Sequence, residues 1–105
     1  MTREEIKNYL PHREPMLLVD DVTMEGETAI GHYHVRGDEY FLQGHFPGYP
    51  VVPGVILCEI MGQCSAPLML DELPGRLTFF VDAEAKVDGK LCVKGSLIFM
   101  LVDKQ

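Results

Sequence analysis

Two side chains in this sequence have types and surroundings suited to moving protons, and they stand fourteen residues apart. His45 lies in Gly44-His45-Phe46-Pro47-Gly48, where glycine and proline fix the backbone and leave little bulk around the imidazole. A positioned imidazole is the commonest general base near neutral pH. Glu59 lies in Val55-Ile56-Leu57-Cys58-Glu59-Ile60-Met61-Gly62-Gln63-Cys64-Ser65-Ala66, where it and Gln63 are the only strongly polar side chains. Their spacing of four residues puts both on one face of a helix. Burying a carboxylate without a partner is costly, and desolvation raises a carboxyl group's pKa, which turns a glutamate into a proton donor. Glu59 is therefore the candidate general acid. Taken singly, each residue has a plainer account. A helix glutamate more often faces solvent or pairs with an arginine, and a loop histidine more often makes one hydrogen bond.

A third element shifts that balance. Pro53-Gly54 opens the apolar stretch as a first helical turn, so free N–H groups and the positive end of the helix dipole face the loop that carries His45. A substrate carbonyl placed there would be polarised like an oxyanion. Base, acid and electrophilic dipole are the parts needed to take a proton from the carbon beside a thioester carbonyl and expel a β-hydroxyl as water. That chemistry needs no metal and no organic cofactor.

The elements that must hold these groups read as an α+β chain. Thr2 with Glu5 three residues on predicts a capped amphipathic helix over Arg3 to Leu10, ended by Pro11. Pro11-His12-Arg13-Glu14-Pro15 forces turn or extended geometry, and a strand is expected from Met16 to Val22. After a turn at Glu25-Gly26-Glu27, Ala29, Gly31, Tyr33 and Val35 alternate with Ile30, His32, His34 and Arg36, the pattern of a half-exposed strand. Gln43 to Gly54 is too rich in glycine and proline for helix or strand and reads as a shaped loop. The stretch from Pro53 to Ala66 is apolar nearly all round, which predicts a buried helix. A turn at Asp71 to Gly75 follows. Asp88-Gly89 between Val81–Val87 and Leu91–Phe99 is a hairpin signal.

Composition narrows the function classes. At 105 residues, 47% hydrophobic and 24% charged, the sequence predicts a single domain over 1–105, small enough to gain from burial against a partner chain. The net charge of −7 argues against nucleic acid or an anionic membrane as partner. No apolar run is unbroken enough to span a bilayer, the N-terminus lacks a signal-peptide pattern, and a cytoplasmic chain is expected. Cys58, Cys64 and Cys92 lack a CxxC pair and read as structural thiols in apolar surroundings. His32 and His34 share a strand face without a third ligand at metal spacing, so no metal is assigned. For His12 and Arg13, between two prolines, a fixed turn with a structural arginine hydrogen bond is more economical than a ligand contact.

The residues also carry a resemblance. Leu10-Pro11-His12-Arg13 with Pro15 and Leu17-Leu18-Val19-Asp20, then Phe41 through Val55 with its His45-Phe46-Pro47-Gly48 core, then Glu59, resemble the (3R)-hydroxyacyl-[acyl-carrier-protein] dehydratases of bacterial type II fatty acid synthesis. The likeness covers about two-thirds of the chain, and its motif is far longer than a chance match. It implies a hot-dog fold, an antiparallel sheet wrapped around a central buried helix. It also implies a homodimer, or a trimer of dimers, with His45 of one subunit and Glu59 of the other at each site and an apolar tunnel for the acyl chain. Acyl carrier protein would deliver the thioester. By the same resemblance the Gly54 N–H binds the thioester carbonyl, the Val51 carbonyl orients the imidazole, Gln63 supports Glu59 and Phe46 borders the substrate. Glutamate at the acid position resembles the general dehydratases, whereas aspartate marks the dehydratase-isomerases.

The chain departs from that pattern after the central helix. The family places four strands there, but only Leu77-Thr78-Phe79-Phe80 stands between the Asp71 to Gly75 turn and the last hairpin, so about two strands are missing near Phe80-Val81. The rival to a dehydratase is thus a shortened, catalytically silent hot-dog module that binds acyl chains or dimerises. A hot-dog thioesterase fits the His-Phe-Pro-Gly loop least.

Overall fold

The computed structural model describes residues 1–68 and 78–100. In chain order these form helix α1 (Arg3–Ile6), strands β1 (Asp21–Glu25) and β2 (Thr28–His32), a 3-10 turn at Tyr40–Leu42, helix α2 (Gly54–Cys64) and strands β3 (Thr78–Val87) and β4 (Lys90–Met100). The expected turn at Asp71 to Gly75, and Leu77 after it, lie outside the described residues. The α+β content and antiparallel pairing follow expectation. Among the described residues the strands make two two-stranded sheets, β1–β2 and β3–β4. Helix α2 packs against β2 and against both strands of the hairpin.

Helix α1 begins as its sequence dictates. The Thr2 hydroxyl accepts from the Glu5 N–H at 3.3 Å and the Glu5 carboxylate accepts from the Thr2 N–H at 3.3 Å, the reciprocal cap. The helix stops at Ile6 rather than Leu10, and Tyr9 and Leu10 N–H groups close turns onto the Ile6 carbonyl. Ile6 and Leu10 still reach one apolar cluster with Leu17, Val19, Val22 and Ala66.

The strand expected from Met16 begins only at Asp21. Leu17–Val19 is nonetheless laid out like a strand. Leu17 and Val19 enter the first cluster, while Leu18 enters a second with Phe41 and Leu42. The Leu17 N–H donates to the Arg13 carbonyl at 3.1 Å, and three further backbone groups are taken by side chains instead of a neighbouring strand. Arg3 donates to the carbonyls of Leu17 at 2.7 Å and Val19 at 2.8 Å, and the Leu18 N–H donates to Gln63 Oε1 at 2.8 Å. Arg3 is itself held by Asp20 at 3.2 Å and Glu14 at 3.0 Å. A hydrogen bond within its own residue and the one from Arg3 push the Glu14 carboxyl down to about 2.

Strand β2 ends at His32, short of the expected Arg36. Ala29, Gly31 and Tyr33 are half-buried while Ile30, His32 and His34 are exposed, as the alternation predicts, but Val35 is exposed too. Gly31 is required by close approach, because a Cβ there would collide with the Cys64 side chain on α2. The hairpin between β3 and β4 turns through Asp88 and Gly89 at φ of +51° and +78°, the left-handed pair that a tight two-residue turn demands.

Helix α2 is not buried all round. Gln63 and Met61 are, but Val55 is 76% exposed and Cys58 is also open. The periodicity reported an apolar helix correctly; what covers every face is not supplied by these residues. Cys58 and Cys92 likewise are exposed rather than packed in apolar surroundings, and only Cys64 is substantially covered. Burial pushes the Cys64 thiol up to about 12. The molecule measures 46 by 31 by 23 Å with a radius of gyration of 14.2 Å. A compact domain of this length would have about 13 Å.

Candidate active site

The loop carrying His45 is anchored at its base by Phe41 and Leu42, buried beside Leu18. From there the His45 N–H donates to the Leu42 carbonyl at 3.3 Å, and Phe46 and Tyr49 exchange both backbone bonds at 3.1 and 2.9 Å. Gly48, at φ of +74°, allows that tight return. His45 and Val51 are joined twice: the Val51 N–H donates to the His45 carbonyl at 2.7 Å, and His45 Nδ1 lies 2.9 Å from the Val51 carbonyl. A carbonyl only accepts, so the ring nitrogen facing it carries the hydrogen and Nε2 keeps a free lone pair. The imidazole stacks on Phe46, with ring centres 4.4 Å apart. The His45–Phe46 peptide is cis.

Three residues after Val51 the chain enters α2. Pro53 occupies the position before the helix and no side chain caps it; the Pro53 carbonyl accepts from Ile56 at 3.0 Å and Leu57 at 3.2 Å. The N–H groups of Gly54 and Val55 therefore start the helix without an intrahelical acceptor. Gly54 is exposed and nothing stands within 4 Å of where its Cβ would be, so a ligand oxygen has room to approach.

Glu59 lies further along α2, and Gln63 fixes it. Gln63 is 2% exposed, and both polar atoms of its amide are hydrogen-bonded. Nε2 donates to Glu59 Oε2 at 3.0 Å and to the Met16 carbonyl at 2.8 Å, while Oε1 accepts from Leu18. The carboxyl group borders an open groove of about 470 Å³, lined also by Leu10, His12, Val55, Cys58, Gly62 and Leu97. Its side chain is 37% exposed, so the desolvation expected from the sequence is not supplied within one chain.

The structure brings Gln63 to Glu59 and Val51 to His45, and places Gly54 and Phe46 at the His45 loop. His45 is not among the residues lining the Glu59 groove. His12, for which the sequence favours a fixed turn over a ligand contact, has its Nε2 3.7 Å from Glu59 Oε2. The signal was available in Pro11-His12-Arg13, but nothing local tells that the turn carrying it comes back onto α2. Arg13 behaves as expected, donating to the carbonyls of Leu10 at 3.0 Å and His12 at 2.7 Å. His32 is paired with Asp21 at 2.7 Å, and the His34 N–H donates to Asp20 at 2.6 Å.

A model of the FabA-like domain matches residues 10–78, a span that takes in His12, His45, Glu59 and Gln63. The chain belongs to this FabA-like family. Among its relatives are proteins named 3-hydroxyacyl-[acyl-carrier-protein] dehydratase FabZ. One from Clostridium botulinum is 39% identical over 103 residues, covering 94% of this chain and 72% of the relative. Another, from Bacillus licheniformis, is 36% identical over 139 residues, covering 97% of this chain and 96% of the relative. A third, from Bacillus velezensis, is 48% identical over 81 residues, which is 73% of this chain and 57% of the relative. The second alignment is longer than this chain's 105 residues, so part of that FabA-like relative stands opposite gaps here.

Proposed function

We propose that this chain removes water from 3-hydroxyacyl thioesters held on acyl carrier protein, giving the trans-2-enoyl thioesters of fatty acid synthesis. The observation that carries the reading is the double link between His45 and Val51, which presents Nε2 as an open base on a loop that enters an uncapped helix start three residues after Val51. The names of the FabA-like relatives support the same reaction.

In this reading the thioester carbonyl accepts from the Gly54 N–H at the positive end of α2, which stabilises charge developing on oxygen. His45 Nε2 takes a proton from the carbon beside the carbonyl. The electron pair released forms the double bond to the β-carbon as the bond to the hydroxyl breaks. Glu59 delivers its proton to the departing hydroxyl, which leaves as water. The proton on His45 then returns to Glu59 through solvent, restoring both groups. Gln63 holds the carboxyl group in place and Phe46 flanks the imidazole. These assignments need His45 and Glu59 to meet, and the single-chain groove supports a meeting across two subunits of a homodimer, the apolar face around Val55 being covered by the partner. A trimer of dimers is the larger assembly. Among the described residues no helix is long and apolar enough to cross a membrane, and the cytoplasm is the proposed location.

Hydration of an enoyl thioester, followed by loss of its ultraviolet absorbance, tests the reading. His45→Ala and Glu59→Gln are each expected to lose at least about a hundredfold in rate while the fold is retained. Unchanged turnover in either variant would remove that residue from the mechanism.

The second reading, a silent acyl-binding or dimerisation module, is favoured by the gaps against the Bacillus licheniformis relative and by the open side of α2. It predicts acyl-thioester binding with no turnover in the wild-type chain.

A further inference from the structure

We propose that His12 is a positioning residue for Glu59, donating from Nε2 to carboxyl oxygen Oε2 so that the other oxygen alone faces the groove. The inference rests on the reading of Glu59 as proton donor and assigns a role to a residue that reading leaves idle. His12 stands in a turn fixed by its neighbour: the Arg13 guanidinium bonds the carbonyls on either side of Pro11, those of Leu10 and His12. The imidazole is thereby held against α2, with Nε2 3.7 Å from Glu59 Oε2 and side-chain exposure of only 31%. That separation is ion-pair distance, and a shift of about half an ångström closes it to a hydrogen bond.

The other ring nitrogen decides the tautomer. His12 Nδ1 is buried and has no hydrogen-bond partner. A buried N–H without an acceptor is rarer than a buried lone pair without a donor. The hydrogen therefore belongs on Nε2, facing the carboxylate. Oε2 already accepts from Gln63 Nε2 at 3.0 Å, so a second donor grips the same oxygen from another side. A carboxyl group with one oxygen gripped twice resists rotating its two oxygens into each other's places. Its transferable proton then sits on Oε1 and is aimed at the leaving hydroxyl in a larger fraction of encounters, which acts on the chemical step rather than on substrate binding.

The test compares His12→Leu, which fills the space without a donor, with His12→Gln, whose amide N–H reaches the place of Nε2. In the intact protein His12→Leu is expected to lower kcat about tenfold with KM changed less than about twofold, and His12→Gln to recover to within about threefold of wild type. Equal activity in all three proteins, or equal loss in both variants with altered circular dichroism or assembly, overturns the proposal. A readout independent of turnover is the long-range proton–nitrogen spectrum of the histidine rings, with His12 assigned by its disappearance in the variants. It should show hydrogen on Nε2 and a shift of that nitrogen in Glu59→Gln; hydrogen on Nδ1, or no shift, defeats the proposal. If the wild-type chain shows no turnover, the dehydratase reading fails on that result alone, and the spectrum still decides whether His12 holds Glu59.

Discussion

The first 68 residues and the β3–β4 hairpin differ in what covers their apolar side chains. In the first region two clusters close around Leu17, Leu18 and Val19, and the backbone between them is tied to Arg3 and Gln63 from 14 to 45 residues away in sequence. In the hairpin, Phe80 and Ile98 face each other across the strands at 77% and 69% exposure, while the opposite face holds the half-buried Val81, Ala83, Val93 and Leu97. The first region is thus packed by its own residues, and the second is a ribbon with one face toward α2 and one face open. The elements proposed for catalysis all lie in the self-packed region, and only Leu97 of the hairpin reaches the Glu59 groove.

The largest test of that contrast is Gln63→Leu. It strips the Leu18 N–H and the Met16 carbonyl of their partners in the self-packed region, and a loss of about 3 kcal/mol is expected in urea unfolding. A loss below about 0.5 kcal/mol would mean that water reaches those groups and that the region is looser than its geometry indicates. A smaller effect comes from Cys64. Its thiol is pushed up to about 12 by burial and, secondarily, by Asp21, so the folded chain keeps that proton when the unfolded chain, near 9, has released it. Stability from this group is complete below pH 9 and falls as pH rises toward 12. At pH 10 wild type should have lost about 1 kcal/mol more than Cys64→Ala, each measured against its own value at pH 8. Matching pH profiles would show that Cys64 is not desolvated against β2. The smallest effect is expected at the open face of the hairpin, where Ile98→Ser should cost the isolated chain less than about 0.5 kcal/mol. A loss that grows with protein concentration would instead place Phe80 and Ile98 against a second chain and blur the contrast.

Much of this was legible wherever the signal is local. The Thr2 and Glu5 cap, the Asp88-Gly89 turn, helix α2 and the breaker-rich loop around His45 each depend on residues within a few positions of one another. The strand expected at Met16 failed for a distant reason: Arg3 and Gln63 take the backbone bonds that a neighbouring strand would have made, and no window of sequence contains both. Alternation did place Leu17 and Val19 opposite Leu18, because an extended backbone alternates its side chains whoever supplies the hydrogen bonds. The open side of α2 was hidden for another reason. An apolar periodicity records that burial is favourable without recording which surface provides it. The place of His12 is not legible locally because its partner, Glu59, is 47 residues on and the two meet through the returning turn at Pro11.

The two bonds between His45 and Val51 draw on main-chain atoms at position 51 and on nothing beyond its α-carbon. What that position must provide is an amide, not a valine. Any residue with an N–H meets the requirement, and proline alone does not. Evolutionary drift at 51 should therefore look permissive, with a veto on a single amino acid, although the position touches the ring proposed as the base. Sequence variability would, at this one place, be a poor guide to mechanistic weight.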